Sequence, residues 1–487
     1  MSKEKVQQGL LPQWGKKELP APPKFNFRNV TAVIGPGTIA LSLSLGGGEW
    51  VLGPSAVVKY GVGLLWITLV AVILQVLLNM EFIRYTMYTG EPIFTGFMRT
   101  KPGPKFWGWF YPILGVLQVG WPAWALASAS VLFAGIHKRL PVKEIPADTN
   151  MVVILGYVTF FLAITIVMVG GKIERTLEVF SWFVVSLIAT FLIVVNIWLV
   201  PAKTWLSTFT GFFRFATIPK GADWILLGAF AAYSGAGGLG NCWLTNWIRD
   251  KGFGMSKTIG FIPTAIAGKK INIPQVGNIF TTNYENMSKW RKWWKYVLVD
   301  QGLVFGLGCL LGMYLPVLLA VGIIPPGTEL KGLAIGSYQA AYLAKIGGQA
   351  LWFLTLFVGF CILFGTQISI IDGFTRTVAD IIWTASKKAR NLKGGDIRYV
   401  YYSILIIFTV CGCIAIIFGN PYILLVIGAN IGGAIFAISG IHVLIVNRRF
   451  LPKEVRPSLW REIAVILCVI FYSFFVIMVI GTYLKLW

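Results

Sequence analysis

The run Leu45-Gly46-Gly47-Gly48-Glu49-Trp50 places three glycines and a carboxylate inside an otherwise apolar stretch. Glycine in a helix costs about 1 kcal/mol relative to alanine, so three in a row predict local unwinding. Unwound backbone exposes carbonyls and N–H groups, and Glu49 adds the negative charge a cation needs. Two blander roles are open to the same letters. Glycine permits close helix contact in membranes, and a buried acid can sit in a salt bridge or carry a proton. A second run, Ser234-Gly235-Ala236-Gly237-Gly238-Leu239-Gly240-Asn241, repeats the pattern without the acid. Asp372 and Arg376 are four apart on one helical face and predict a structural pair. His137 and His442 are isolated, which predicts interfacial or packed polar residues rather than ligands. The six cysteines lie in apolar stretches at spacings that suit no metal cage, and read as small packing residues. Catalysis at mid-depth calls for clustered His, Asp or Cys, and no such cluster exists, so an enzyme is not expected.

The elements that carry these residues follow from composition. Of 487 residues, 56% are hydrophobic and 13% charged, against about 25% charged in a soluble domain. With a mean hydropathy of +0.73 this excludes a soluble globule and a disordered chain alike. A crossing needs roughly 20 apolar residues as helix. Largely uncharged runs near 32–58, 63–83, 107–136, 151–170, 177–200 and 224–248 give six spans. Runs near 297–324, 348–372, 399–419, 421–446 and 463–484 give five more, hence an all-α polytopic membrane protein of about eleven helices. The two glycine runs fall near the middle of spans one and six. Interruptions at matching places in two five-helix halves are the mark of an inverted-repeat transporter with a midplane site.

Charge orients the chain. With the N-terminus inside, the cytoplasmic pieces hold 32 of the 42 Lys and Arg residues and the other side 10. Positive charge gathers on the cytoplasmic side of short loops, so N-inside and, with eleven spans, C-outside is expected, in the plasma membrane. The net charge of +23 is thereby topology and attraction to anionic lipid, with no nucleic-acid partner expected. The first thirty residues are polar, so no signal peptide is expected. The organisation reads as a cytoplasmic segment over 1–29, a first repeat over 30–200 and a second over 224–446. The second repeat includes a partly ordered cytoplasmic loop, 249–295, with Gly252-Phe253-Gly254-Met255, Pro263 and an aromatic–basic stretch at Trp290–Trp294; helix eleven and the C-terminus fill 447–487.

Several stretches resemble the Nramp (natural resistance-associated macrophage protein) divalent-metal transporters. Gly35-Pro36-Gly37 through Gly61 and Leu64-Leu65-Trp66 is similar to that family's first helix and the entry to its second. Arg175-Thr176-Leu177-Glu178 resembles the start of its fifth helix, Val299-Asp300 its seventh, and Gly365-Thr366-Gln367 the Gln-containing turn of its eighth. The resemblance covers roughly 30–445. It implies the leucine-transporter-type fold, two inverted five-helix repeats with helices one and six unwound around a metal site, and places Asp300 near the inner pathway.

The departures fall on the site. Where the family has Asp-Pro-Gly-Asn, this chain has Gly46-Gly47-Gly48-Glu49; where it has Met-Pro-His, Gly238, Leu239 and Gly240 stand. The acidic pair that the family carries in helix three for proton passage is absent around Gln118 to Trp121, so the resemblance does not carry proton coupling over to this chain. The chain reads as a divergent Nramp-related branch. Loss of the thioether favours harder ions, so the expectation is an alternating-access carrier of a divalent cation, Mg²⁺-like rather than Mn²⁺ or Fe²⁺. Glu49 and Gln367 are the expected metal ligands. Backbone at Gly46, Gly47, Gly48, Gly237, Gly238 and Gly240 and the amides of Asn241 and Asn430 would complete the site, and Asp300 would serve the pathway. With a single carboxylate the ion would keep much of its water, as Mg²⁺ does. The alternatives are a cation-coupled carrier of amino acids or other small organic solutes, and a non-transporting sensor or scaffold. No cofactor is expected, and the partners are the cargo and membrane lipid, with the chain a monomer.

Overall fold

Hydrocarbon offers the backbone no water, so an apolar run within it must pair its own N–H and C=O groups as helix. The structure, a computed structural model, describes residues 9–168, 173–262 and 273–486. Among the described residues nine helices are long and apolar enough to cross a membrane. They are Val62–Thr89, Pro104–His137, Pro146–Met168, Leu177–Leu199, Tyr284–Ile323, Tyr338–Ala385, Ile397–Ile416, Pro421–Phe450 and Leu459–Tyr483, here spans two to five and seven to eleven. Span one is Pro36–Tyr60, entered from the short helix Phe27–Val33 through a 59° bend. Span six is two half-helices, Trp224–Tyr233 and Leu239–Lys251. Among the described residues the eleven expected spans thus correspond to these nine helices, the bent span one and the broken span six.

Local chemistry sets several of the starts. Asp223 accepts from the backbone N–H of Ile225 and Leu226 at 2.9 and 3.1 Å and opens the first half of span six. Between spans nine and ten, Gly419 turns at φ +65°, Asn420 caps, and Pro421 takes the first helical position, where its missing N–H costs nothing. The middle of span one packs on spans six, seven and eight.

Two boundaries differ from expectation. Span seven begins at Tyr284, because the aromatic–basic stretch Trp290–Trp294 is itself helical and runs into the apolar part. Span eight begins at Tyr338 and breaks at Gly347 and Gly348 before its apolar body. Of the remaining loop, Gly254–Thr258 is a short 3₁₀ turn, and Pro263 lies outside the described residues.

The N-terminal segment lies as a strap across the face of the bundle from which span one begins. Its strand β1 (Gly15–Lys16) pairs in parallel with β2 (Asn278–Ile279) of the loop between spans six and seven. Trp14 lies 3.9 Å under the Arg99 guanidinium and 6.3 Å from the Phe450 ring. Arg99 is held in turn by Glu91 at 2.6 Å. Further along, Trp293 donates to the Pro20 carbonyl at 2.8 Å and Tyr296 to that of Lys24 at 3.1 Å. The strap thus joins the loop after span two, the end of span ten and the start of span seven.

A desolvated cation–π contact is worth about 2 kcal/mol, and a protease samples the detached strap in proportion to its population. Trp14→Ala is therefore expected to speed native-state cleavage within residues 9–24 by about tenfold or more, with the eleven-span body intact. Limited proteolysis followed by mass spectrometry measures it, and an unchanged cleavage rate would contradict the strap's anchoring at Trp14.

Candidate functional site

Span six stops hydrogen-bonding as a helix after Tyr233. Gly235, Gly237 and Gly238 adopt φ of +136°, +73° and +80°, which residues with a Cβ avoid. The break frees backbone groups at membrane depth, and two glutamines from other spans take them. Gln75 of span two donates to the Ser234 carbonyl at 3.1 Å and accepts from the Ala236 N–H at 3.1 Å. Gln118 of span three accepts from the Leu239 N–H at 3.2 Å and donates to the Gly237 carbonyl. The expected opening of span six is borne out, with the side chains that make it tolerable in hydrocarbon.

Span one behaves differently. Leu45–Leu52 is not unwound but forms eight residues of π-helix, closed by the Gly53 N–H on the Gly48 carbonyl. The glycines serve close approach instead. A Cβ on Gly47 would stand 2.9 Å from the Tyr233 ring, and one on Gly46 2.8 Å from Cβ of Thr366. A Cβ on Gly48 would stand 2.6 Å from the Tyr233 carbonyl carbon. Entropy alone does not open a helix whose glycines are each covered by a neighbour. A π-helical turn widens the helix and re-aims its side chains, and such turns gather at functional sites.

Between spans one, three and six lies a cavity of about 20 Å³, room for about one water, walled by Gly47, Gly48, Gln118, Trp124, Tyr233 and Trp243. Its lining holds no acid, Lys, Arg or His. The Trp124 indole N–H and the Tyr233 hydroxyl are buried without a partner, their rings 5.8 Å apart. Buried ion pairs join span six to spans five and eight on the strap side. Arg249 pairs with Asp380 at 2.6 Å, Arg376 with Asp372 at 2.8 Å and with Asp250, and Lys251 with Glu178 at 2.5 Å. On the other side Trp50 donates to the Gly336 carbonyl at 3.3 Å and accepts from Gln339 at 3.4 Å.

The expected ligands go separate ways. Glu49 is fully buried, and neither carboxylate oxygen has a hydrogen-bond or ion-pair partner. It lies off the cavity wall, on the side of span seven, where a Cβ on Gly312 would stand 3.6 Å from its Cγ. Gln367 accepts from the Ala125 N–H at 3.2 Å. Asn430 donates to the Ile225 and Val426 carbonyls at 3.0 and 2.9 Å. Asn241 donates to Gln75 and Asn79 at 3.1 and 2.9 Å. Gly240 lines the cavity, while Gly237 and Gly238 form the turn. Asp300 is an anchor: its Oδ1 accepts from the Gly35 and Gly37 N–H groups at 3.3 and 3.1 Å and so holds the start of span one. Among the described residues no three His, Cys, Asp or Glu side chains are grouped as a metal would need. His442 is packed as expected, bonded to Thr100 and Tyr111 at 2.7 and 2.8 Å.

Gln75, Asn79, Gln118, Trp124 and Tyr233 were not singled out by the sequence. One signal was available: Gln75 and Asn79, with Thr68 seven residues before Gln75, put polar groups on one face of an apolar span.

No family model and no curated protein matches the chain. Among solved structures it is similar to a manganese transporter of Eremococcus coleocola, with a TM-score of 0.63 at 15% identity over 96% of this chain and 90% of that one. A second structure of that transporter, in complex with an aromatic bis-isothiourea substituted compound, gives 0.56 at 14% identity over 99% and 90%. Mhp1, a nucleobase–cation symport-1 family transporter in a closed conformation with bromovinylhydantoin bound, gives 0.54 at 10% identity over 92% and 93%. The shared feature is the fold, the leucine-transporter type that the sequence resemblance implied.

Burial without a partner and burial within a pair respond oppositely to loss of charge. Glu49→Gln strands no positive group, so the melting midpoint of the detergent-solubilised protein is expected to equal or exceed that of wild type. Arg376→Met leaves Asp372 and Asp250 without their shared cation, at a cost of about 3–5 kcal/mol. Parallel thermal melts check both, and a strongly destabilised Glu49→Gln would reveal a positive partner.

Proposed function

We propose that the protein is an alternating-access secondary carrier whose cargo is a small organic solute with a flat apolar face and hydrogen-bond acceptors. The observation that carries this is the wall of the central cavity. It offers aromatic faces from Trp124, Tyr233 and Trp243, two donors with nothing to donate to, and no carboxylate, Lys, Arg or His. A hard divalent ion takes about six or more oxygen ligands and usually carboxylates among them. Those walls supply neither. The occluded cavity widens as span one tilts away from span six, and the cargo's acceptors meet the Trp124 N–H and the Tyr233 O–H.

Glu49 follows Gly48 directly, so the cavity and the unpartnered carboxylate share one turn of span one. An isolated buried carboxylate is costly, and a bound monovalent cation or proton removes that cost. Cargo against Gly47 and Gly48, and a cation on Glu49, would both have to be in place before span one moves. The reading is therefore a cation-coupled carrier, its basic face with the strap toward the cytoplasm. A second reading, a Mg²⁺-like divalent ion that keeps its hydration shell, is favoured by the fold shared with a manganese transporter.

Purified protein in liposomes, offered hydantoins, nucleobases, aromatic amino acids, Mg²⁺, Mn²⁺ and Ca²⁺, tests the proposal. Saturable flux is expected for a planar solute under an imposed cation gradient. Trp124→Phe keeps an aromatic face, though a smaller one, and removes the N–H, so KM should rise by about tenfold with the fold retained in a thermal melt. Saturable Mg²⁺ or Mn²⁺ flux with no organic flux would overturn it in favour of the second reading. No flux of any kind would leave a sensor or scaffold.

A further inference from the structure

The break in span six is joined to the start of span one by an unbroken chain of buried amides. Asn241, on the second half of span six, donates to Gln75 at 3.1 Å and to Asn79 at 2.9 Å, both on span two. Asn79 donates to Gln301 of span seven at 3.0 Å, and Gln301 donates to Oδ2 of Asp300 at 2.7 Å. The other oxygen of Asp300 takes the Gly35 and Gly37 N–H groups at the head of span one. All of these side chains are fully buried.

Two features lift this above incidental satisfaction of polar groups. The amides from Asn241 through Asn79 and Gln301 all donate in one direction, toward the carboxylate. Hydrogen bonds aligned head to tail polarise one another in a low dielectric, and a terminal charge strengthens the set. At the other end, Gln75 is saturated. Its Nε2 serves the Ser234 carbonyl and the Tyr472 hydroxyl at 3.1 and 2.8 Å, and its Oε1 serves Ala236 and Asn241. Any shift of residues 234–236 must therefore break a bond to Gln75 or move Asn241 with it.

We propose that Gln75, Asn79 and Gln301 are positioning residues that couple the break in span six to the release of span one. While span six sits as observed, the chain holds Asp300 against the head of span one and the strap side stays shut. A shift of 234–241 when cargo is seated slackens the chain, and the Gly35 and Gly37 amides are freed. The proposal rests on the carrier reading, because it is cargo that moves span six. It concerns side chains that touch neither the cavity nor Glu49.

Hydrogen exchange of the full-length protein in lipid nanodiscs, with no cargo added, reads the far end of the chain directly. Asn79→Leu and Gln301→Met each cut it in the middle. Each is expected to speed exchange of the Gly35–Leu41 amides by about tenfold, the size typical of coupling through a packed network. The double variant removes both ends of one hydrogen bond and strands neither, so its exchange should be no faster than that of either single variant. Gln75→Met, at the span-six end, should give the same acceleration at Gly35–Leu41, where a merely structural role would move only 234–241. Unchanged exchange at Gly35–Leu41 in all three single variants, or an additive double variant, would overturn the coupling. If one variant fails to fold, the other two still decide. Because no cargo is present, accelerated exchange in a protein that carries no solute would refute the carrier reading and leave the coupling standing.

Discussion

The structure turns on the unpaired backbone of Ser234–Gly238. A membrane helix can stop hydrogen-bonding only where other groups take over, because each orphaned group in hydrocarbon costs several kcal/mol. Here Gln75 and Gln118, from spans two and three, each give one acceptor and one donor to the gap. Their positions follow from that requirement, and so does the close seat of span one, whose Gly47 and Gly48 leave room for Tyr233. The cavity is the space that remains once these demands are met. Its walls are backbone, aromatic rings and aliphatic side chains, and the one amide among them, Gln118, is already committed to the backbone of span six.

Both glycine runs were visible as letters, and only one did what the letters suggested. In span six, positive φ at Gly235, Gly237 and Gly238 is a conformational demand, and the helix opens. In span one each glycine is used for its missing Cβ, and the chain stays helical with π turns. A sequence lists glycine identically for the two uses. What separates them is whether a neighbour lies where a Cβ would go, and that neighbour, Tyr233 or Thr366, is about 200 or more residues away in the chain. The spans themselves were legible because hydrophobicity acts locally, over each run of twenty residues. The partners of Asn241, Asn430 and Gln367 were not, because an amide in an apolar span records a need for a partner and not its identity. Asn430 meets its need on Ile225, far from any role as a ligand.

Charge shows the same division. Asp372 and Arg376 lie on one helical turn, and their pairing could be read from spacing; the share of Asp250 in it could not. Asp300, expected to serve the pathway, makes an anchoring contact in the structure. Its carboxylate stabilises the first N–H groups of span one, where a helix carries partial positive charge, and so fixes where that span begins. Glu49 is the exception, a fully buried carboxyl group with no hydrogen-bond or ion-pair partner among the described residues.

A shared fold does not transmit a cargo. The arrangement seen here also serves a manganese transporter and a transporter with a hydantoin bound, so the scaffold is compatible with a metal ion and with a planar organic molecule. The choice lies in which side chains face the break in span six. Thioether, carboxylate and free amide oxygen at that point would describe a cation site. In this chain the carboxylate faces span seven, the amides of Gln75 and Gln118 are bonded to the backbone of span six, and indole and phenol donors face the cavity. Those donors are complementary to hydrogen-bond acceptors, which is the feature of the cavity on which the proposed organic cargo rests.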